Sequence, residues 1–234
     1  MKRWIESALG FWANRLGYDL VPAYVPGLKR PVPPGAKLYV GSGEQQATGY
    51  VACDFRPLEN VQLVCRAWEV SRFCSGLSEI FSRHMLEHLT LAEAELTLRD
   101  WFAALAPSGI VRIEVPNLEF ALSQWQRARW NSAELANRLS DARWGFAGLY
   151  GWQRECDPKS SDYNQSYWDV HKSGYTAKSM RHFLSQAGFE QIEISFESFT
   201  LEQLRRRNLD LHASDNCHLV AVGRKPAAAR QNAA

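Results

Sequence analysis

Two glycines and one acid near the start of the chain offer the first chemistry. Lys37-Leu-Tyr-Val-Gly-Ser-Gly43 is followed by Gly49-Tyr-Val-Ala-Cys-Asp54, a run that reads as strand, glycine turn, second strand and acid. Leu38, Tyr39 and Val40 suit a buried parallel strand. Gly41 and Gly43 let the turn backbone pass close to a ligand where a Cβ would collide. Asp54 falls at the carboxyl edge of the second strand, where open α/β sheets bind ligands, and a carboxylate there can accept hydrogen bonds from ribose hydroxyls. The arrangement suits a nucleoside. Taken alone, it also suits an ordinary turn in which Asp54 caps a loop or helix. Gln46 stands where a dinucleotide fingerprint needs its third glycine, which argues against an NAD oxidoreductase.

A second cluster is His84-Met-Leu-Glu-His88. It matches H-x-x-E-H, in which two histidines share a helix face and bind zinc beside a catalytic Glu. Residues 79–83 read as strand, however, so His84 falls at a strand end and not inside a long helix, and no third ligand stands out. No metal is expected. The two histidines read either as site residues or as a hydrogen-bonded pair that holds a loop.

The elements that must position these groups fit one α/β domain of 234 residues. A formal charge of +2 leaves no electrostatic footprint for nucleic acid, so aromatic and Arg residues together do not suggest a single-strand groove. Five scattered cysteines without Cys-x-x-Cys spacing read as reduced thiols of a cytoplasmic protein. The N-terminus lacks the apolar run of a signal peptide, and no segment reaches membrane-spanning length, so no stable membrane insertion is expected.

Residues 2–16 have the spacing of an amphipathic helix that covers the sheet, and prolines 22, 26, 31, 33 and 34 predict an extended connection, so that 1–36 precede the domain proper. Strands are expected at 61–65, 79–83, 110–115, 191–196 and 218–222. Thr90 to Glu93 forms a capping box that starts a helix ended by Pro107-Ser108-Gly109, and Thr176 starts another that Gly188 closes. Residues 117–150 are helical in composition and rich in Trp and Arg, and 153–174 suggest a lid or binding loop, so about 117–175 reads as a substrate cover. The tail, 225–234, is expected to be disordered.

As a set, Tyr39-Val-Gly-Ser-Gly43, Gly49-Tyr-Val-Ala-Cys-Asp-Phe-Arg-Pro57, Glu79-Ile-Phe-Ser-Arg-His-Met-Leu-Glu-His88, Leu105-Ala-Pro-Ser-Gly109, Val111-Arg-Ile-Glu-Val-Pro-Asn117 and His171-Lys-Ser-Gly-Tyr175 resemble the class I S-adenosylmethionine-dependent methyltransferases, nearest to the small bacterial type 11 enzymes. The resemblance runs from about residue 37 to 223, within a methyltransferase domain expected at 37–224. It implies a Rossmann-like three-layer sandwich with a mostly parallel seven-stranded sheet, the last strand antiparallel, and S-adenosyl-L-methionine across the strand ends. By position, Gly41, Ser42 and Gly43 would meet the methionine part and Asp54 the ribose. Arg66, Ala67 and Trp68 would lie near the adenine, with Arg83 and His84 flanking cofactor and substrate.

This chain departs from the pattern in three places, one of them Ser42, where the family often has Cys. Gly43 to Asp54 spans 11 positions, against about 20 in a full dinucleotide unit, so the first helix must be short or missing. Arg66 stands where relatives carry an acid, leaving Glu69, a backbone carbonyl or nothing for the adenine. Methyl transfer to a hydroxyl needs a proton acceptor, for which His84 and His171 are candidates, oriented by Glu87 or Asp169. Tyr150, Trp152 and Gln153, beside glycines, are candidate contacts to a small-molecule or saccharide acceptor. The competing reading is a catalytically silent relative that serves as a binding or partner subunit.

Overall fold

The computed structural model describes residues 15, 24–137, 140–153, 170–198 and 217–227. The expected helix at 2–16 apart from Arg15, the loop at 154–169 with Asp169, and residues 228–234 of the tail lie outside the described residues.

Eight strands form one sheet: β1 (Gly27–Leu28), β2 (Lys37–Val40), β3 (Tyr50–Asp54), β4 (Leu63–Val64), β5 (Leu77–Arg83), β6 (Leu105–Pro116), β7 (Glu190–Glu197) and β8 (His218–Arg224). Their order is β1-β4-β3-β2-β5-β6-β8-β7. Strands β2 through β6 pair in parallel, while β8 runs antiparallel between β6 and β7. Without β1 this is the doubly wound order, third-second-first-fourth-fifth, with one antiparallel strand inserted before the sixth. The Rossmann-like, mostly parallel sheet with an antiparallel last strand is therefore present.

The sheet has one strand more than expected. Gly27 and Leu28 lie between Pro26 and Pro31, free of the proline rings, and pair antiparallel with Val64 and Leu63. The Lys29 amide donates to the Gln62 carbonyl at 2.9 Å, so the proline-rich connection is partly tied to the sheet edge.

Five helices are described: α1 (Leu91–Ala104), α2 (Leu118–Arg127), α3 (Ser132–Ala136), α4 (Asp141–Tyr150) and α5 (Ala177–Gln186). Thr90 caps α1 in the expected box: its hydroxyl accepts from the Glu93 amide, and the Glu93 carboxylate accepts from the Thr90 amide. α1 ends earlier than Pro107 predicts, because Leu105 is already extended and opens β6. The Lys225 ammonium donates to the carbonyls of Phe102 and Leu105 at 2.7 Å each, satisfying the helix end with a cation from the far side of the sequence. Lys225 is thus held at the start of the tail.

Alternation along the strands makes the two sheet faces unlike. Leu38, Val40, Ile80, Val111, Ile113, Leu219 and Ala221 join Trp101 of α1 and Met180 and Leu184 of α5 in one core. Trp101 is fully buried, its indole N–H satisfied by the Ala67 carbonyl at 2.9 Å. The opposite face carries Lys37, Tyr50, Glu79, Arg112 and Glu114, with Lys37 paired to Glu79 at 2.8 Å and Arg112 to Glu114 at 2.8 Å.

α2 begins at the carboxyl end of β6 and packs against α4. A Cβ on Gly145 would meet the Trp125 backbone nitrogen at 2.6 Å, and one on Gly148 the Ala121 Cβ at 2.5 Å. These two glycines set how closely the helices approach. Trp144 is buried in this hairpin, whereas Trp130, Phe146, Tyr150 and Trp152 are exposed.

Candidate functional site at the sheet switch point

In a doubly wound sheet the crevice opens where the strand order reverses, here between the carboxyl ends of the parallel strands β2 and β5. β2 runs straight into Gly41, Ser42 and Gly43. Gly41 and Gly43 have φ of 72° and 54°, conformations that side chains disfavour. No helix follows; the chain turns through residues 44–49 into β3, as the short spacing requires.

Asp54 is 4% exposed and braces that turn. Its Oδ2 accepts from the Gly43 amide at 2.8 Å, and its Oδ1 from the Arg56 amide at 2.9 Å and the Arg56 Nε at 3.1 Å. A carboxylate offers about four acceptor positions, so one remains, and the Arg56 side chain is 45% exposed and able to swing away. The Met85 side chain covers Gly41 so closely that a Cβ there would meet its Cγ at 2.2 Å. Met85 thus fills the space directly over the glycine turn.

Arg66, Ala67 and Trp68 follow β4 at the same edge. The Arg66 guanidinium lies 4.8 Å from the Tyr24 ring centre and 5.7 Å from that of Trp68, so it is packed between aromatic faces. Glu69 accepts from the Tyr24 hydroxyl and from the Arg66 amide. Burial and that carboxylate push the Tyr24 phenol up to about 12. Ala67 is buried in the core and holds Trp101 through its carbonyl.

At the end of β5, Arg83 pairs with Glu114 at 3.3 Å. His84 has φ of 48° and hydrogen-bonds through its amide to the Glu114 carbonyl at 2.8 Å, a strained backbone of the kind that collects at functional sites. Its Nδ1 lies 3.2 Å from Glu87 Oε1. Glu87 is 1% exposed. Burial alone would push its carboxyl up, but the His84 hydrogen bond and the charges of His84, His88 and His171 hold it below its usual range. His84 and His88 do not share a helix face, because only residues 86–88 form a 3-10 turn, so the inverted zinc-protease geometry is not adopted.

Three segments far apart in sequence meet here. The Glu87 carbonyl accepts from the amides of Lys172 and Ser173 at 2.8 and 3.1 Å. His88 Nδ1 lies 3.1 Å from the Val170 carbonyl, and His171 Nδ1 lies 3.1 Å from that of Gly148. The Tyr150 carbonyl accepts from the His171 amide at 3.2 Å and from the Gln153 side chain at 3.1 Å. Burial lowers the His171 pKa, more than the neighbouring Glu87 raises it. Trp152 packs edge-on against Trp144, with centroids 5.4 Å apart.

Of the further residues brought to the site, Tyr24, Met85, Glu114 and His218, none was singled out from the sequence. His218, at the start of β8, stacks edge-on with His84 at 4.8 Å. Met85 alone carried a signal, by its place inside the histidine motif.

Comparison with protein-family models finds no match, and comparison with curated proteins finds none either. Solved structures do resemble the chain. One is an S-adenosylmethionine-dependent methyltransferase from Archaeoglobus fulgidus, 14% identical over 94% of this chain and 94% of that one, with a TM-score of 0.47. Another is a possible histamine N-methyltransferase from Thermotoga maritima, 11% identical over 83% and 84%, TM-score 0.49. A possible exported protein from Bordetella parapertussis is 15% identical over 83% of this chain, TM-score 0.47, and this chain spans 63% of its length. The strand order and register, not these scores, define the fold.

Proposed function

We propose that the chain is an S-adenosyl-L-methionine-dependent methyltransferase of the type 11 kind that acts in the cytoplasm on a small-molecule or saccharide acceptor. The observation that carries this reading is the union of the Gly41–Gly43 turn with Asp54 at the sheet switch point, one strand away from His84.

The residues fit the cofactor. Asp54 keeps an acceptor position for a ribose hydroxyl, the turn is glycine where backbone must come close, and Met85 is unbranched and able to change rotamer. Gly41, Ser42 and Gly43 would hold the methionine part, Asp54 the ribose, and Arg66 and Trp68 the adenine, with Arg83 beside them. When bound, the cofactor supplies an electrophilic sulfonium methyl group. The protein supplies alignment and a site shielded from water.

The proton acceptor is His84. Glu87 holds Nδ1–H, which leaves Nε2 as the basic nitrogen, and the carboxylate steadies the imidazolium that forms. His171 is the weaker choice, since its Nδ1 is fixed on Gly148 and burial disfavours its charged form. Tyr150, Trp152 and Gln153 offer aromatic and amide contacts on the rim.

Two observations favour a second reading, a catalytically silent binding subunit: Arg56 occupies Asp54, and Met85 occupies the space over Gly41. Calorimetry with S-adenosylmethionine and S-adenosylhomocysteine separates them. Saturable micromolar binding that weakens in Asp54→Ala supports the enzyme. Absence of heat and of thermal stabilisation by either ligand supports the silent relative.

A further inference from the structure

The geometry points to a divalent transition-metal site formed by Glu87, His88 and His171, a set that draws on two chain segments and leaves His84 outside it. One ligand atom from each of the three lies within 4.8 Å of the others. Two imidazoles and a carboxylate suit a borderline ion such as Zn²⁺.

Three further features favour a ligand here over a packed polar cluster. Glu87 is 1% exposed, and its Oε2 has no hydrogen-bond partner among the described residues, although Oε1 is used by His84. A buried carboxylate oxygen without a donor is costly, and a cation removes that cost. Both histidines place Nδ1 on a backbone carbonyl, His88 on Val170 and His171 on Gly148. A carbonyl only accepts, so each Nδ1 carries the proton and each Nε2 is left with a bare lone pair, the arrangement that backbone carbonyls impose on metal-ligating histidines. The segments are themselves fastened together, since Lys172 and Ser173 donate to the Glu87 carbonyl.

Donors around tetrahedral zinc stand about 3.4 Å apart at bond lengths near 2.1 Å, so small side-chain rotations must draw the three atoms inward by about an ångström. With only three protein donors, the ion keeps a position for water or for an anionic oxygen of a ligand. Because Glu87 Oε1 also holds His84, the carboxylate links the ion to the end of β5. The site stands on this cluster alone and does not require that the chain bind S-adenosylmethionine.

The test uses the full chain, stripped with a chelator and dialysed, then titrated with ZnCl₂ by calorimetry and with CoCl₂ by visible absorption. The expected result is one ion per chain, with cobalt bands of nitrogen and oxygen ligation. His88→Gln and His171→Gln, both of partly exposed residues, each weaken binding by at least roughly a hundredfold, while His182→Gln on α5 leaves it unchanged. Circular dichroism of each variant establishes that it is folded. No saturable uptake by the wild-type chain overturns the proposal. So does unchanged affinity in a folded His88→Gln/His171→Gln double variant, or a thiolate-to-cobalt charge-transfer band, which assigns the ion to cysteine. Cofactor calorimetry reads a different ligand, so the two proposals fail separately.

Discussion

The carboxylate of Asp54 accepts the amide hydrogen of Gly43 at 2.8 Å, which makes the acid and the glycine turn a single unit across 11 residues of chain. Asp54→Ala therefore acts twice. It leaves the Gly43 N–H without its acceptor, at a cost of about 1–3 kcal/mol in urea denaturation. In the proposed cofactor site it also removes the acceptor offered to the ribose, and the expected result is S-adenosylmethionine affinity lowered by about ten- to a hundredfold. Asp54→Asn retains one acceptor and falls between the two. Unchanged affinity in a folded Asp54→Ala would remove Asp54 from the cofactor site.

His84→Gln keeps a polar side chain but loses the proposed base. With an acceptor substrate in hand, kcat falls by about 10²- to 10⁴-fold while cofactor affinity is retained. Glu87→Leu lowers kcat as well, because His84 loses the partner at 3.2 Å that sets its tautomer. Loss of cofactor binding in His84→Gln, measured by calorimetry, would assign the residue to binding instead.

Gly145→Ala forces a methyl into the Trp125 backbone, within 2.6 Å of its nitrogen, and the α2–α4 hairpin must open. Overpacking of this kind costs about 1–3 kcal/mol. The carbonyls of Gly148 and Tyr150 then move away from His171, so the acceptor KM rises. Gly27→Ala, where a Cβ meets nothing within 4 Å, serves as the control with unchanged thermal unfolding.

Among the described residues, the cysteines at 53, 65, 74 and 217 are buried. Burial pushes the Cys74 thiol up to about 11, and the Cys65 partner and burial push Cys53 well up too. The raised values keep Cys53 and Cys74 protonated at pH 8, with the Cys74 thiolate appearing only as the pH climbs towards about 11, and burial shields Cys65 and Cys217 from reagent. Maleimide at pH 8, read by mass spectrometry of peptides, leaves these four unmodified in the native state and labels all of them in urea. Rapid native labelling of Cys74 would contradict its burial.

Strand positions such as β2, β3, β5 and β6 and the two capped helices were legible because each rests on local chemistry: Thr90 and Thr176 cap where expected, and Val111, Ile113 and Val115 alternate with Arg112 and Glu114. β1 was hidden, since two residues between prolines carry no periodicity. The end of α1 was misplaced by the weight given to Pro107, when Lys225, distant in sequence, closes the helix. The same limit applies to the site. Gly41, Gly43, Asp54 and His84 stood out by type and spacing, but that Glu87 would face two histidines from different segments follows only from the way residues 170–173 return to the end of β5.

The position of β8 also bears on how the protein is made. Among the described residues β7 hydrogen-bonds to β8 alone, and β8 is made of residues 218–224. While the ribosome still holds that segment, β6 has an unsatisfied edge and, among the described residues, β7 has no strand to pair with. The nascent chain can assemble the parallel half of the sheet from β2 to β6, yet the domain closes only after nearly all of it has left the exit tunnel. Truncation before His218 would leave two sticky edges in one molecule, a form that aggregates rather than one that is merely less stable.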